Sequence, residues 1–188
     1  RKNRYKIFKR SEILGLLSKG YKTVAVAGTH GKTTVSTMIA HILAHGETGC
    51  NAFLGGISKN YGSNLILSPQ SDWMVTEADE FDRSFLQLHP YAAVVTAMDP
   101  DHLDIYGNAE NMQQAFNQFI GQIDREGFLL LKGGLPVDPA VLPSQTYTYT
   151  VNGNTDFKAD NIRMEHRRYY FDLTGPGIRI KNLSLEHP

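Results

Sequence analysis

The chain has 188 residues, enough for one domain with a substantial core. Nineteen Lys and Arg balance nineteen Asp and Glu, so bulk charge argues for neither a nucleic-acid nor an anionic-membrane partner. The lone cysteine, Cys50, has no internal disulfide partner, no apolar run approaches the ~20 residues of a membrane helix, and no signal-peptide pattern opens the chain; a cytoplasmic protein is expected.

The first residue is Arg1 rather than Met, which suggests a piece of a longer protein. The opening "RKNRYKIFKR" is the one strongly basic run. It reads as a solvated inter-domain segment in preference to a nucleic-acid arm. "RSEILGLLSKG" predicts a short helix with Ile13, Leu14 and Leu17 on one face, ended by Gly20, and residues 1–22 are set apart as a leading segment. "TVAVA" predicts a strand buried on both faces of a parallel sheet, and Lys32 to about His45 a helix. "SDWMVTEA" and "YAAVVTAM" read as the second and third strands. "NAENMQQAFNQFIGQI" has Met112, Ala115, Phe116 and Phe119 at helical spacing, and "GFLLL" follows as a further strand. Strands alternating with helices predict an α/β fold, a P-loop-like and mostly parallel sheet flanked by helices. After Gly133 the chain turns rich in Pro, Gly and Thr. It then alternates like antiparallel strands (Ile162 and Met164; Tyr170, Phe171 and Leu173; Ile178 and Ile180), predicting a β-rich C-terminal lobe without a catalytic cluster.

The loop after the first strand, "GTHGKTT", is too short for G-x-x-x-x-G-K-[ST], whose first glycine would fall at Val26. The parts of a phosphate cradle are nonetheless all there. Gly28 lets the chain turn and face an anion with backbone N–H groups, and Gly31 clears the entrance of a helix whose N-terminus carries the positive dipole end. Lys32 offers a mobile positive charge for β- and γ-phosphate oxygens. Thr33 offers a hydroxyl suited to Mg²⁺, a hard cation that prefers oxygen. A plain structural turn would not require these residues together behind an apolar strand.

Two further polar clusters follow strands, where ligands bind in parallel sheets. In "TEADEFDRSF", Glu77 stands at the strand end and is the first choice as Mg²⁺ ligand; Asp79, Glu80 and Asp82 read as a solvated acidic turn or a helix N-terminus, where the dipole favours acids. In "AMDPDHLDIYG", Asp99, Asp101, His102 and Asp104 crowd a turn opened by Pro100. On bare chemistry His102 is as well read as a surface group as a metal or phosphate ligand.

"GTHGKTT", "EADEFDRSF" and "DPDHLDIYG", in this order and at these separations, resemble the central ATP-binding domain of the Mur ligases. The similarity covers nearly the whole chain, from residue 23 to 188 as that domain cut short at its end, and is sharpest from Val24 to Tyr106. His30 stands where later ligases of the family carry Asn, and Asn117 where they carry a carbamylated lysine; both fit the alanine-adding branch. The resemblance implies a bacterial, cytoplasmic activity in which ATP phosphorylates a carboxylate and an amine displaces the phosphate. The partners it implies are UDP-N-acetylmuramic acid and L-alanine, with ATP and Mg²⁺ as cofactors. It assigns Gly28, Thr29, His30, Gly31, Lys32, Thr33 and Thr34 to the nucleotide. Lys32 would hold the γ-phosphate, Thr33 and Glu77 one Mg²⁺, and His102 a second. Gly55 and Gly56 read equally as a loop near the sugar nucleotide or as a plain glycine turn. The family's N-terminal and C-terminal domains are not in the sequence, so the isolated chain is expected to lack turnover.

Two other readings stand beside this one. A sister ligase that attaches recycled peptide to the same sugar nucleotide also carries His in the loop. From a different class, an NTP-dependent switch without ligation chemistry would share the cradle, but no N-K-x-D base-reading segment is present.

Overall fold

A computed structural model describes residues 5–101, 103–151 and 153–186. The described residues form a ten-stranded sheet in the order β10-β9-β8-β7-β6-β5-β1-β4-β2-β3. In chain order its elements are α1 (Arg10–Ser18), β1 (Lys22–Ala27), α2 (Lys32–His45), β2 (Asn51–Ser58), β3 (Ser63–Ile66) and β4 (Trp73–Ala78). A 3₁₀ segment (Phe81–Gln87), β5 (Ala92–Val95), α3 (Leu103–Tyr106), α4 (Ala109–Ile120) and β6 (Phe128–Lys132) follow. After a short 3₁₀ turn (Pro139–Val141) come β7 (Gln145–Thr150), β8 (Phe157–Glu165), β9 (Arg168–Gly175) and β10 (Ile178–Glu186).

The predicted parallel core is present. β1 pairs in parallel with β4 on one side and β5 on the other, so the chain reverses its direction of travel across the sheet at β1. Such a switch point opens a crevice beyond the strand ends, and β1 feeds its glycine loop into it. Residues Thr23 to Ala27 are all buried, as a central parallel strand requires. Their side chains supply two cores. Ala25 and Ala27 pack with Val95, Phe85, Phe116 and Phe119 under α4, while Val24 packs with Ala40, Leu54 and Val75 under α2. The α4 stripe is as the spacing predicts, and the Asn108 side chain caps this helix by accepting from the Asn111 N–H at 2.8 Å.

Three expectations change. First, α1 turns Gly15 and Ser18 inward and leaves Ile13 exposed, because a side chain at Gly15 would meet the backbone of Gln87. Ser18 in turn accepts the His89 N–H at 3.0 Å. Second, "SDWMVTEA" is the fourth strand in the chain, since "NAFLGGIS" forms β2 and Ser63–Ile66 forms β3. Gly55 and Gly56 therefore lie in a strand and not in a loop; β2 is held by parallel pairing of Asn51, Ala52 and Phe53 with β4 and by antiparallel pairing with β3 at Ala52, Phe53 and Ser58, the register shifting across the glycines. Third, the β-rich C-terminal region continues the main sheet, through parallel β6–β7 and β7–β8 pairs, into an antiparallel β8–β9–β10 meander. Among the described residues no helix is long and apolar enough to cross a membrane.

Candidate nucleotide site

The glycine loop leaves β1 at Gly28 with φ +137°, and the segment just after β5 passes so close that a Cβ there would lie 2.8 Å from the Ala97 nitrogen. Only glycine meets both conditions. Gly31, at φ 84°, is the residue before α2, and the first turn of that helix begins directly at Lys32. Backbone contacts fix the loop against the third cluster. The Thr29 N–H donates to the Ala97 carbonyl at 3.2 Å, and the Thr29 hydroxyl accepts the Asp99 N–H at 3.2 Å. The Thr96 hydroxyl reaches the His30 carbonyl, while the His30 ring stands 3.8 Å from the Asp99 carboxylate, both exposed. Loop and third cluster are thus neighbours, as predicted. His102 itself lies outside the described residues.

Glu77 is the second-to-last residue of β4, beside β1 in register with Val26. Its Oε1 accepts the Gly55 N–H at 2.7 Å, with the Ser36 hydroxyl at 3.4 Å. Among the described residues Oε2 accepts no hydrogen bond and no cation pairs with this carboxylate. Thr33, Gly55, Glu77 and Asp79 line one cleft of about 420 Å³, together with Phe81 and Phe85. A hydroxyl and a carboxylate lining one cleft are the oxygen donors that suit Mg²⁺.

Lys32 is placed differently from expectation, and so is Glu80. The Lys32 ammonium donates to the Gly28 carbonyl at 2.8 Å and lies 2.9 and 2.8 Å from the two carboxylate oxygens of Glu80. Glu80 is 1% exposed, so it is no solvated turn residue. The backbone explains this. Asp82 and Arg83 adopt left-handed φ of 53° and 54°, and the Phe85 N–H closes back onto the Asp79 carbonyl at 2.8 Å. The chain folds over and drives Glu80 inward while Asp82 stays outside, 3.3 Å from Lys9. The Tyr106 hydroxyl donates to the Glu80 carbonyl at 2.5 Å, and Arg83 stacks over the Tyr106 ring. Burial, with help from the Glu80 charge, pushes the Tyr106 phenol up to about 12.

A short glycine loop at the switch point of a parallel sheet, with a lysine at its helix entrance and a carboxylate at the adjacent strand end, defines a P-loop-type nucleotide-binding α/β domain. Residues 26–187 match the family model of the Mur ligase middle domain, and the chain belongs to that family. The UDP-N-acetylmuramate–L-alanine ligase of Phocaeicola vulgatus is 50% identical over the whole chain. The chain spans 41% of that relative's length. Among solved structures, the Thermotoga maritima UDP-N-acetylmuramate-alanine ligase superposes with a TM-score of 0.76 at 24% identity, covering 94% of this chain and 40% of its own. A Thermotoga maritima MurF ligase solved in complex with ADP gives 0.65 at 16%, covering 95% and 46%. These two likenesses concern the fold.

Proposed function

We propose that this chain is the ATP-binding domain of a ligase that joins L-alanine to UDP-N-acetylmuramic acid in the bacterial cytoplasm. Residues 1–22 serve as its inter-domain segment and leading helix, and residues 23–188 as the nucleotide-handling domain. The reading draws on the sequence relationship to alanine ligases. The observation that carries it is the convergence of the Gly28–Gly31 loop, Lys32, Thr33 and Glu77 at the end of β1 and β4.

The N–H groups of the loop and of the first turn of α2 would bind phosphate oxygens through His30, Gly31, Thr33 and Thr34, while Thr29, whose N–H is held by the Ala97 carbonyl, shapes the loop. Lys32 would hold the γ-phosphate as it passes to the substrate carboxylate; the protein's contribution is positioning and charge neutralisation. Thr33 and Glu77 fit a Mg²⁺ ion, with Glu77 already oriented by Gly55 and free of a competing cation among the described residues. His102 is assigned to a second Mg²⁺ by resemblance alone. When bound, Mg²⁺ supplies charge that offsets repulsion between phosphate and carboxylate.

The test is a calorimetric titration with a non-hydrolysable ATP analogue, with and without Mg²⁺, on the full-length polypeptide that carries this sequence and on its Lys32→Ala variant. Metal-dependent binding that Lys32→Ala abolishes is the expected result. Absence of binding, or indifference to Lys32, sinks the reading.

A further inference from the structure

The Lys32–Glu80 pair has no part in the function just proposed, yet it engages the residue on which that function depends. An ammonium has three N–H donors, and three acceptors lie within 2.9 Å of it: the Gly28 carbonyl and both Glu80 oxygens. The Lys32 side chain is 16% exposed and that of Glu80 1%. The ammonium is therefore folded back on the first residue of its own loop, with its donors taken. Nothing else described competes for Glu80: Lys9 pairs with Asp82, and Arg83 stacks on Tyr106. The carboxylate is also firmly placed, because Tyr106 holds the Glu80 backbone from α3 and the Phe85-to-Asp79 closure holds the turn.

We infer that Glu80 is a positioning residue acting through Lys32: it keeps the ammonium drawn back onto Gly28, and an incoming polyphosphate must take those donors from the Glu80 carboxylate. The inference rests on the reading of Lys32 as the phosphate-holding lysine. Part of the intrinsic affinity for nucleotide is then spent on this exchange, and weakening the pair returns it. A buried counter-ion with a purely structural role would behave otherwise: its loss lowers melting temperature and does not improve binding.

The experiment compares wild type, Glu80→Gln and Glu80→Asp in the full-length polypeptide, titrating each with the same Mg²⁺-loaded ATP analogue and recording each melting curve. Glu80→Gln removes the charge and keeps the shape. Glu80→Asp keeps the charge and draws it back by one methylene, out of bidentate reach of Lys32. Both variants are expected to bind about tenfold more tightly, the scale of one charge-assisted hydrogen bond. Tightening in Glu80→Gln alone would assign the effect to direct repulsion between carboxylate and phosphate, and overturns the inference. Unchanged or weaker binding in both folded variants also overturns it. Should Glu80→Gln fail to fold, Glu80→Asp decides alone. If Lys32→Ala weakens wild-type binding while neither Glu80 variant tightens it, only this inference falls; if Lys32→Ala has no effect, the proposed function falls and takes this inference with it.

Discussion

The Gly55 backbone N–H donates to Oε1 of Glu77 at 2.7 Å, and a Cβ at Gly55 would stand 2.5 Å from both carboxylate oxygens. The strand β2 therefore does two things at this residue. It supplies a donor that orients the carboxylate, and it withholds a side chain so that the carboxylate has room.

Gly55→Ala follows directly. The backbone angle at Gly55 is not one that only glycine tolerates, so the substitution acts through the clash with Glu77 rather than through strain. Displacing a residue that orients a metal ligand costs about 10–100-fold in metal affinity. The Mg²⁺ midpoint for binding the ATP analogue is expected to rise by that factor, with nucleotide contact to the loop retained. A midpoint unchanged in a folded Gly55→Ala protein would remove Glu77 from the metal site.

Gly28→Ala is expected to strike stability as well as binding. Here the left-handed backbone and the approach of Ala97 act together, and the added methyl has no space to enter. A cost of roughly 2–3 kcal/mol corresponds to a fall in melting temperature of about 5–10 °C for a domain of this size. Thermal denaturation of the variant checks it; a shift under about 2 °C would mean the loop relaxes freely.

These residues also mark where the sequence was readable. β1, its loop and α2 were legible because an apolar run, two glycines and a helical stretch are local signals, and Lys32–His45 forms as predicted. The α4 stripe through Met112, Ala115, Phe116 and Phe119 was legible for the same reason. β2 was not, since two adjacent glycines read locally as a turn and only pairing with β4 and β3 makes the segment a strand. Glu80 was invisible in a different way. Its partner Lys32 lies 48 residues away, and its burial depends on left-handed backbone at Asp82 and Arg83, two residues whose composition gives no hint of it. Among acidic residues packed this closely, sequence distinguishes the strand-end Glu77 but not the one that the chain later folds inward.

Phe116→Ala tests whether the face beneath the site is the main core. Phe116 is fully buried and meets the Phe85 ring edge-on at 5.3 Å, while Phe85 itself stacks on Phe119. Truncation is expected to cost about 3–5 kcal/mol. Urea denaturation should show the midpoint falling by the corresponding amount; a loss below ~1 kcal/mol would mean that the aromatic cluster is not cooperative with the sheet.

Tyr106 gives a pH-dependent prediction whose sign is fixed by its phenol. Burial, which disfavours the phenolate, pushes the group from its ordinary 10.0 up to about 12 in the folded protein. Between these values the unfolded chain has released a proton that the folded chain retains, so folding stability falls as pH rises from 10 to 12 and is fully present below 10. The contribution is on the order of 2 kcal/mol. Tyr106→Phe removes it, and also removes the hydroxyl that donates to the Glu80 carbonyl, leaving that acceptor with the Arg83 N–H alone at a cost of about 0.5–1.5 kcal/mol near neutral pH. Urea melts at pH 8 and pH 11 separate the two effects. The variant should be less stable than wild type at pH 8 and should lose less on going to pH 11. Equal losses in both proteins would show that the phenol is not shielded, and with it that α3 does not close over the Glu80 turn.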